Sequence, residues 1–251
     1  MNGLLGQFFV LTESSELGFG LFSAAHFVWL ILSAACIVAV SICYKRAAAA
    51  SRRRMRRSVA SLILGIELVK TAFLICMDEY DIGRLPLHLC GLAVYLEFIH
   101  SLRDRPADGF FSQFLFAFCM PGAVFALIFP DWVGYPLLSF MTFAGFLLHM
   151  LVVLYVVMQL CGGDIVPSFR RLPVCALIML LICVPVFFFD RLTYTNYMFL
   201  NYPSPGSPLE WFSFLGRPGY LLGYIPLALL TWAVLYLPFA LRRRSGSIDP
   251  E

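Results

Sequence analysis

Long apolar runs separated by short polar segments dominate the chain. Seven of these runs reach or approach the ~20 residues that a helix needs to cross roughly 30 Å of hydrocarbon. They lie at about 20–44, 58–77, 86–102, 110–129, 136–161, 172–189 and 220–241. Backbone groups in hydrocarbon must be satisfied within their own segment, so these runs are predicted to be helices. The pattern therefore predicts an all-α membrane protein with seven transmembrane helices.

Basic residues gather at alternate connections between these runs. Seven of the 18 lysines and arginines follow the first run, two follow the third, two the fifth and three the seventh. The other connections hold only Arg84, Arg191 and Arg217, and Lys70 lies within the second run. The positive-inside rule then places the N-terminus outside and the C-terminus inside. The arginine cluster at 52–57 fits this topology and anionic headgroups, so no nucleic-acid partner is expected.

The composition agrees with a membrane protein. Of the 251 residues, 61% are hydrophobic and 13% are charged, against roughly 45–50% and 25% in soluble domains. This excludes a soluble enzyme, a disordered chain and a free nucleic-acid binder. We expect one transmembrane domain over residues 1–251, located in the plasma membrane. The apolar start lacks a preceding basic region, so a cleaved signal peptide is not expected.

Ionisable side chains inside the runs are few, and such residues are functional candidates because burying them in lipid is costly. Glu67 and Lys70 are three residues apart on one helix face. They either neutralise each other and orient the helix, or contact a polar headgroup. Glu97 and His100 lie near the inner end of the third run and are expected to snorkel to the interface.

Cys90 and three histidines share the outer half of the bundle. Cys90 follows Pro86 in the first turn of the third helix, while His26 and His149 lie at comparable depths in the first and fifth. His88, two residues from Cys90, should face another side of the helix. A base for the thiol is therefore expected from His149 or, next, from His26. For each histidine alone, an interhelical hydrogen bond is the structural alternative.

A zinc site is the other interpretation of this group, because histidine and cysteine both ligate zinc. The sequence contains no HxxxH or CxxC spacing among these residues. We therefore expect no metal and no cofactor.

Three segments resemble a known family. The stretches LPLHLCGLAVYL (85–96), TNYMFLNYPSPGS (195–207) and LGRPGY (215–220) resemble the YwaF-like integral membrane proteins. That family is similar to a eukaryotic multispan acyltransferase of ether phospholipids and, remotely, to androgen-induced fatty-acid ester hydrolases. The resemblance implies that Cys90 is the nucleophile and that His149 matches the catalytic histidine of the hydrolases.

The leading hypothesis is a lipid acyltransferase or fatty-acyl ester hydrolase acting on a phospholipid or lysolipid in an outer-half cavity. Cys90 would attack an ester carbonyl and His149 would move the protons. Six further residues are expected to bind substrate: His26, His88, Glu67, Lys70, Asn196 and Tyr197. For Asn196 and Tyr197, loop anchoring is an equal alternative. The other hypothesis is a non-enzymatic lipid or small-molecule carrier, because Pro121 and Pro185 fall within runs, where broken helices occur in transporters.

Overall fold

The protein is an array of helices in the computed structural model, which describes residues 4–14, 16–102, 107 and 109–245. The helices are α1 (Leu4–Phe8), α2 (Ala24–Arg46), α3 (Ala49–Cys76), α4 (Leu89–Leu102), α5 (Phe110–Phe114), α6 (Met120–Ile128), α7 (Phe140–Gly162), α8 (Leu172–Thr193) and α9 (Tyr224–Ser245). A π-helical turn, Leu115–Cys119, joins α5 to α6. The described part of the chain contains no β-strand. The all-α prediction is confirmed.

Within the described ranges, six helical elements are long and apolar enough to cross a membrane. They are Ala24–Arg46, Ala49–Cys76, Phe110–Ile128, Phe140–Gly162, Phe169–Thr193 and Gly219–Leu241. The third predicted run is present as the shorter apolar helix α4. This helix begins at Leu89 rather than near residue 86, because the chain from Leu85 to His88 forms a turn. At 1.5 Å per residue its 14 residues extend about 21 Å.

The orientation prediction depends partly on residues outside this description. Arg103 and Arg105 lie outside the described residues, and so do the side chains of Arg242, Arg243 and Arg244. The remaining basic residues that support the prediction lie at the C-terminal end of α2, the N-terminal part of α3 and the start of α8. We call this end of the bundle the basic end.

Serine and glycine set the limits of the helices that carry the candidate residues. The Ser23 hydroxyl accepts a hydrogen bond from the His26 N–H at the start of α2, and Ser139 accepts one from the Thr142 N–H at the start of α7. These side chains satisfy N–H groups that have no partner within the helix. At the end of α7, Gly163 takes a left-handed φ of 79°, which glycine adopts without steric cost.

Helix α7 is the centre of the bundle. It packs against α2, α3, α4 and α6. In its most apolar window 67% of the residues are buried, compared with 11% for the α8 element and 6% for the α9 element. Helices α8 and α9 therefore present most of their apolar surface outward, as helices facing lipid do.

Pro121 links the π-helical turn to α9. Proline has no N–H, so the carbonyl four residues earlier, Ala117 O, loses its usual helical partner. The indole Nε1–H of Trp232 on α9 donates to Ala117 O at 2.9 Å. The sequence predicted a broken or kinked helix at Pro121, and in the structure a neighbouring helix satisfies the freed carbonyl.

Candidate functional site

Lys70 carries a charge that acts on titratable groups from several elements of the fold. Its ammonium donates a 2.7 Å hydrogen bond to Glu67 Oε2, so the predicted pair on α3 is formed. Four other groups lie within electrostatic reach of the Lys70 charge: His88, Cys90, Asp131 and His149. These groups come from α4, the turn before it, the 129–139 connection and α7. We call this set, with Glu67, the Lys70 cluster.

Cys90 is the second residue of α4 and is half-buried against the main core. None of the described side chains forms a hydrogen bond to its sulfur. Next to it, a Cβ at Gly91 would lie 2.9 Å from the carbonyl oxygen of Pro86. Glycine therefore allows the 85–88 turn to fold closely onto the start of α4. The thiol is held at a helix start and is free of competing partners.

His149 on α7 is held in one tautomer. Its Nδ1 lies 2.7 Å from Gly145 O, and because a carbonyl only accepts, Nδ1 carries the proton. Nε2 then bears the lone pair, and no described residue donates to it. The ring stacks on the Trp132 indole with centroids 4.8 Å apart. An oriented imidazole with a bare nitrogen has the arrangement that a general base needs.

Trp132 and Gly145 support His149 and were not identified from the sequence. A Cβ at Gly145 would lie 2.8 Å from Trp132 Cε2, so glycine makes room for the indole beside α7. Trp132 is buried, and its Nε1–H finds no acceptor among the described residues. A buried donor without a partner is costly, and a ligand carbonyl would satisfy it. In the sequence, the only indication of this support was that Gly145 lies four residues before His149.

His26 links α2 to α6 through a hydrogen bond. Its Nε2–H donates to Leu127 O at 2.8 Å, and its Nδ1 accepts from the Phe22 N–H at 3.1 Å. The ring is buried among Phe19, Phe22 and Phe146. Both nitrogens are therefore engaged with the backbone. This is the interhelical contact named above as the structural alternative, and it leaves no bare nitrogen for proton transfer.

His88 faces away from the main core. Its Nδ1 accepts from the Met198 N–H at 3.2 Å, and its ring stands edge-on to Tyr197 with centroids 5.1 Å apart. Cys90, by contrast, packs against the main core. The two residues thus have different neighbours, and His88 lies in the turn before α4, not on the helix itself. His88 positions the 195–207 loop against the start of α4.

Asn196 and Tyr197 form the anchors of this loop. Asn196 Oδ1 accepts from the backbone N–H groups of Asn201 and Tyr202 at 3.0 and 2.9 Å. The Tyr197 hydroxyl donates to Ile82 O and accepts from the Leu85 N–H. Both side chains therefore make the loop-anchoring contacts. Through Tyr197, the loop also fixes the segment from which α4 begins.

Asp190 is a further buried polar residue that the sequence analysis did not single out. Its Oδ1 accepts from the Tyr197 N–H at 3.0 Å and from the Thr195 hydroxyl at 2.7 Å. It also lies within electrostatic reach of His88. In the sequence, the only indication of this role was that Asp190 is an acidic residue directly after the apolar run of α8. Asp190 ties α8 to the loop that contacts His88.

The loop contains a turn held in an uncommon backbone conformation. Met198 and Phe199 have φ values of 52° and 55°, in the left-handed region that non-glycine residues rarely adopt. The hydroxyls of Tyr224 and Tyr220 donate to Met198 O and Phe199 O, each at 2.7 Å. Such backbone persists where the surroundings over-determine it, often near functional sites. Here it presents the Met198 N–H to His88.

The prediction that Glu97 and His100 snorkel to the interface is wrong. Glu97 is 0% and His100 is 3% exposed. His100 Nδ1 lies 2.8 Å from the Tyr155 hydroxyl, and its Nε2 lies 3.2 Å from Ser112 Oγ. Because α4 is packed by α3, α7 and the π-helical turn, this face of the helix is enclosed by protein. We call Glu97, His100, Tyr155 and Ser112 the Glu97 cluster.

An apolar recess of about 340 Å³ opens beside α2 and the start of α7. Its lining is entirely hydrophobic and includes Trp29, Leu138 and Phe143. Trp29 stacks on Phe146 at 4.9 Å, and Phe146 meets Trp132 edge-on at 5.5 Å. A series of aromatic contacts thus extends from the recess to Trp132, which stacks on His149. Cys90 does not line this recess.

Metal binding finds no support in the geometry. Across the part of the chain that the structure describes, no three histidine, cysteine, aspartate or glutamate side chains are grouped so as to hold a metal ion. The chemistry available is that of a thiol, an imidazole, an ammonium group and an unpartnered indole N–H.

Comparison with known proteins identifies the family. No curated protein and no solved structure matches the chain. A family model described as the TMEM164 family matches residues 21–236, which include every helix from α2 to α8 and most of α9. This match covers the Lys70 cluster, the 195–207 loop and the Glu97 cluster together. The chain therefore belongs to the TMEM164 family, a family of integral membrane proteins.

Proposed function

We propose that this protein is a lipid acyltransferase or fatty-acyl ester hydrolase in which Cys90 is the nucleophile and His149 is the general base. The observation that carries the proposal is the His149 tautomer, fixed by Gly145 so that Nε2 bears the lone pair. Both His149 and Cys90 also lie within electrostatic reach of Lys70. A second support is the resemblance of the segment at 85–96 to YwaF-like proteins and, through them, to cysteine acyltransferases.

The reaction has two halves. In the first, His149 Nε2 takes the thiol proton while the Cys90 sulfur attacks the ester carbonyl carbon. The tetrahedral intermediate releases the alcohol, which takes the proton from His149, and leaves a thioester on Cys90. In the second, a lysolipid hydroxyl or water gives its proton to Nε2 and attacks the thioester. The acyl group leaves with the acceptor, and the sulfur regains its proton.

Two donors are available for the negative charge that develops on the carbonyl oxygen. Lys70 donates one N–H to Glu67 and has two more, and the Trp132 indole N–H is unpartnered. Preorganised donors of this kind commonly supply the largest part of transition-state stabilisation. The Lys70 ammonium also suits the phosphate of a phospholipid. In this proposal Glu67 and Lys70 neutralise each other, and Lys70 also contacts the polar headgroup of the lipid.

The substrate enters from the bilayer. We propose a phospholipid or lysolipid whose acyl chain follows the apolar recess beside Trp29, since that lining offers only hydrophobic contacts. In this proposal α4 also crosses the membrane, as the third span in chain order, and brings the number of spans to seven. The N-terminus is outside, and the Lys70 cluster lies in the outer half of the plasma membrane. Cysteines introduced at 48 and 206 should then label from opposite sides, with 48 inside. Labelling from the same side would contradict this topology.

The activity test uses the full-length protein in nanodiscs containing a phospholipid with a labelled acyl chain. Wild type should transfer or release the label and should carry a labelled thioester on Cys90, detected by mass spectrometry. Cys90→Ala should show neither, whereas Cys183→Ala, which removes another half-buried thiol, should show both. Transfer that persists in Cys90→Ala would overturn the nucleophile assignment.

A carrier remains the second candidate, favoured by one observation. The element Phe110–Ile128 is interrupted by the π-helical turn and Pro121, and interrupted helices line binding sites in many transporters. A carrier would move labelled lipid or small molecules between vesicle leaflets or compartments, and Cys90→Ala would leave that movement unchanged.

A further inference from the structure

Glu97 is an acidic side chain enclosed in the bundle core. It is 0% exposed, and neither carboxyl oxygen has a hydrogen-bond partner within the described residues. Glu67, also buried, is instead paired with Lys70 at 2.7 Å. Burying an ionised carboxylate without a partner costs far more free energy than burying the neutral acid. The neutral, protonated acid is therefore the form of Glu97 that costs the least free energy to bury.

A chain of hydrogen-bonded groups begins near Glu97, without a hydrogen bond to its carboxyl group, and runs toward the connection after α4. Tyr155 lies within electrostatic reach of the carboxyl. Its hydroxyl is 2.8 Å from His100 Nδ1, and His100 Nε2 is 3.2 Å from Ser112 Oγ. Ser112 is the third residue of α5, which follows the connection after α4. Each of these groups can both accept and donate a proton.

The titratable groups near Glu97 come from α4 itself, the π-helical turn and α7. Cys90 and His100 lie on α4 itself, Cys119 in the π-helical turn and Tyr155 on α7. From α3, Arg56 acts on Tyr155. Cys90 and Glu97 are seven residues apart on α4, which is two turns or about 10 Å. The Glu97 cluster therefore lies directly below the Lys70 cluster along the same helix.

We propose that Glu97 is a binding site for an exchangeable proton, and that Tyr155, His100 and Ser112 relay this proton to and from the basic end. When a proton enters, Ser112 passes one to a ring nitrogen of His100. The other ring nitrogen passes one to Tyr155, and the Tyr155 hydroxyl passes one to the Glu97 carboxylate. One proton is gained by the carboxylate, and each relay group ends neutral. In the last step the Tyr155 hydroxyl must first turn onto the Glu97 carboxylate, because the two groups are not hydrogen-bonded in this state. Intramembrane acids joined to histidine in this way are typical of proton pathways.

Infrared spectroscopy of the full-length protein tests the proposal without any substrate. Wild type at neutral pH should show the carbonyl band of a protonated carboxylic acid that disappears in Glu97→Gln. Glu67→Gln should retain the band, because Glu67 is paired with Lys70. A wild-type spectrum without a Glu97-dependent band would overturn the protonated state.

Exchange into heavy water tests the relay. The Glu97 band should shift on transfer to D₂O, and Tyr155→Phe should slow that shift about tenfold, which equals about 1.4 kcal/mol on the barrier. Tyr236→Phe is the matched control. It also removes a buried tyrosine hydroxyl, but this hydroxyl has no hydrogen-bond partner among the described residues. Unchanged exchange in Tyr155→Phe, or equal slowing in both variants, would overturn the relay. Because no step requires acyl transfer, these results are independent of the function proposed above.

Discussion

The Lys70 cluster and the Glu97 cluster both include residues of α4 and α7, but they differ in charge and enclosure. In the first, a carboxylate and an ammonium are paired at 2.7 Å, and the half-buried Cys90 thiol lies within electrostatic reach of that ammonium. In the second, a carboxyl group with no hydrogen-bond partner among the described residues is enclosed near Tyr155, His100 and Ser112. A paired, partly exposed charge can bind an ionic headgroup. An enclosed, unpaired acid can exchange little more than a proton.

The largest expected effect separates the two clusters by activity. Cys90→Ala should reduce acyl transfer about a thousandfold or more, and adding His149→Gln should reduce it little further, because residues that act as one unit are not additive. Glu97→Gln should leave most of the activity, since Glu97 touches no reacting atom. Rates measured in nanodiscs with a labelled phospholipid check this. Independent, multiplying losses from Cys90 and His149 would contradict their action as a pair.

A smaller loss is expected from moving the base without removing it. Gly145→Ala would push the added methyl group against Trp132 and tilt the ring that stacks on His149. We expect activity to fall about tenfold to a hundredfold, since small misplacements of catalytic groups carry such losses. The matched control is Gly65→Ala on α3, where an added Cβ meets nothing within 4 Å. Equal activity of the two variants would show that the Trp132 stack does not position His149.

Stability distinguishes the two acids directly. Glu67→Gln should destabilise the fold by about 1–3 kcal/mol, because Lys70 loses a charged partner in a partly buried site. Glu97→Gln should cost less than about 1 kcal/mol, because a neutral acid is replaced by a neutral amide of similar shape. Denaturation in one detergent, followed for both variants, gives the comparison. A larger loss for Glu97→Gln would show that its carboxylate has a compensating partner.

The smallest effect is expected at a histidine outside both clusters. His26→Phe should cost about 0.6 kcal/mol, the average for a polar contact between membrane helices, because it removes the bond to Leu127 O. Acyl transfer by the folded fraction should be unchanged, since both ring nitrogens serve the backbone. A strong loss of activity with little loss of stability would instead assign His26 a part in proton transfer.

The polar residues of the site were recognisable in the sequence, but their partners were not. Cys90, His149, Glu67 and Lys70 stand out because ionisable or nucleophilic groups are rare within apolar runs. The same signal did not separate His26, His88 and His149. Each is a single histidine in an apolar setting, and only the contacts with Leu127, Met198 and Gly145 distinguish their roles.

The sequence by itself determined the helical membrane architecture and the pairing of Glu67 with Lys70. Both follow from short-range physics: backbone groups in lipid must be satisfied within the helix, and residues three apart share a face. Tertiary structure decided the rest. It made α7 the central helix, placed Trp132 against His149 and turned Glu97 into the core instead of the interface. In a bilayer, lipid and protein interior are equally apolar. Hydrophobicity therefore cannot show which face of a helix is covered by another helix.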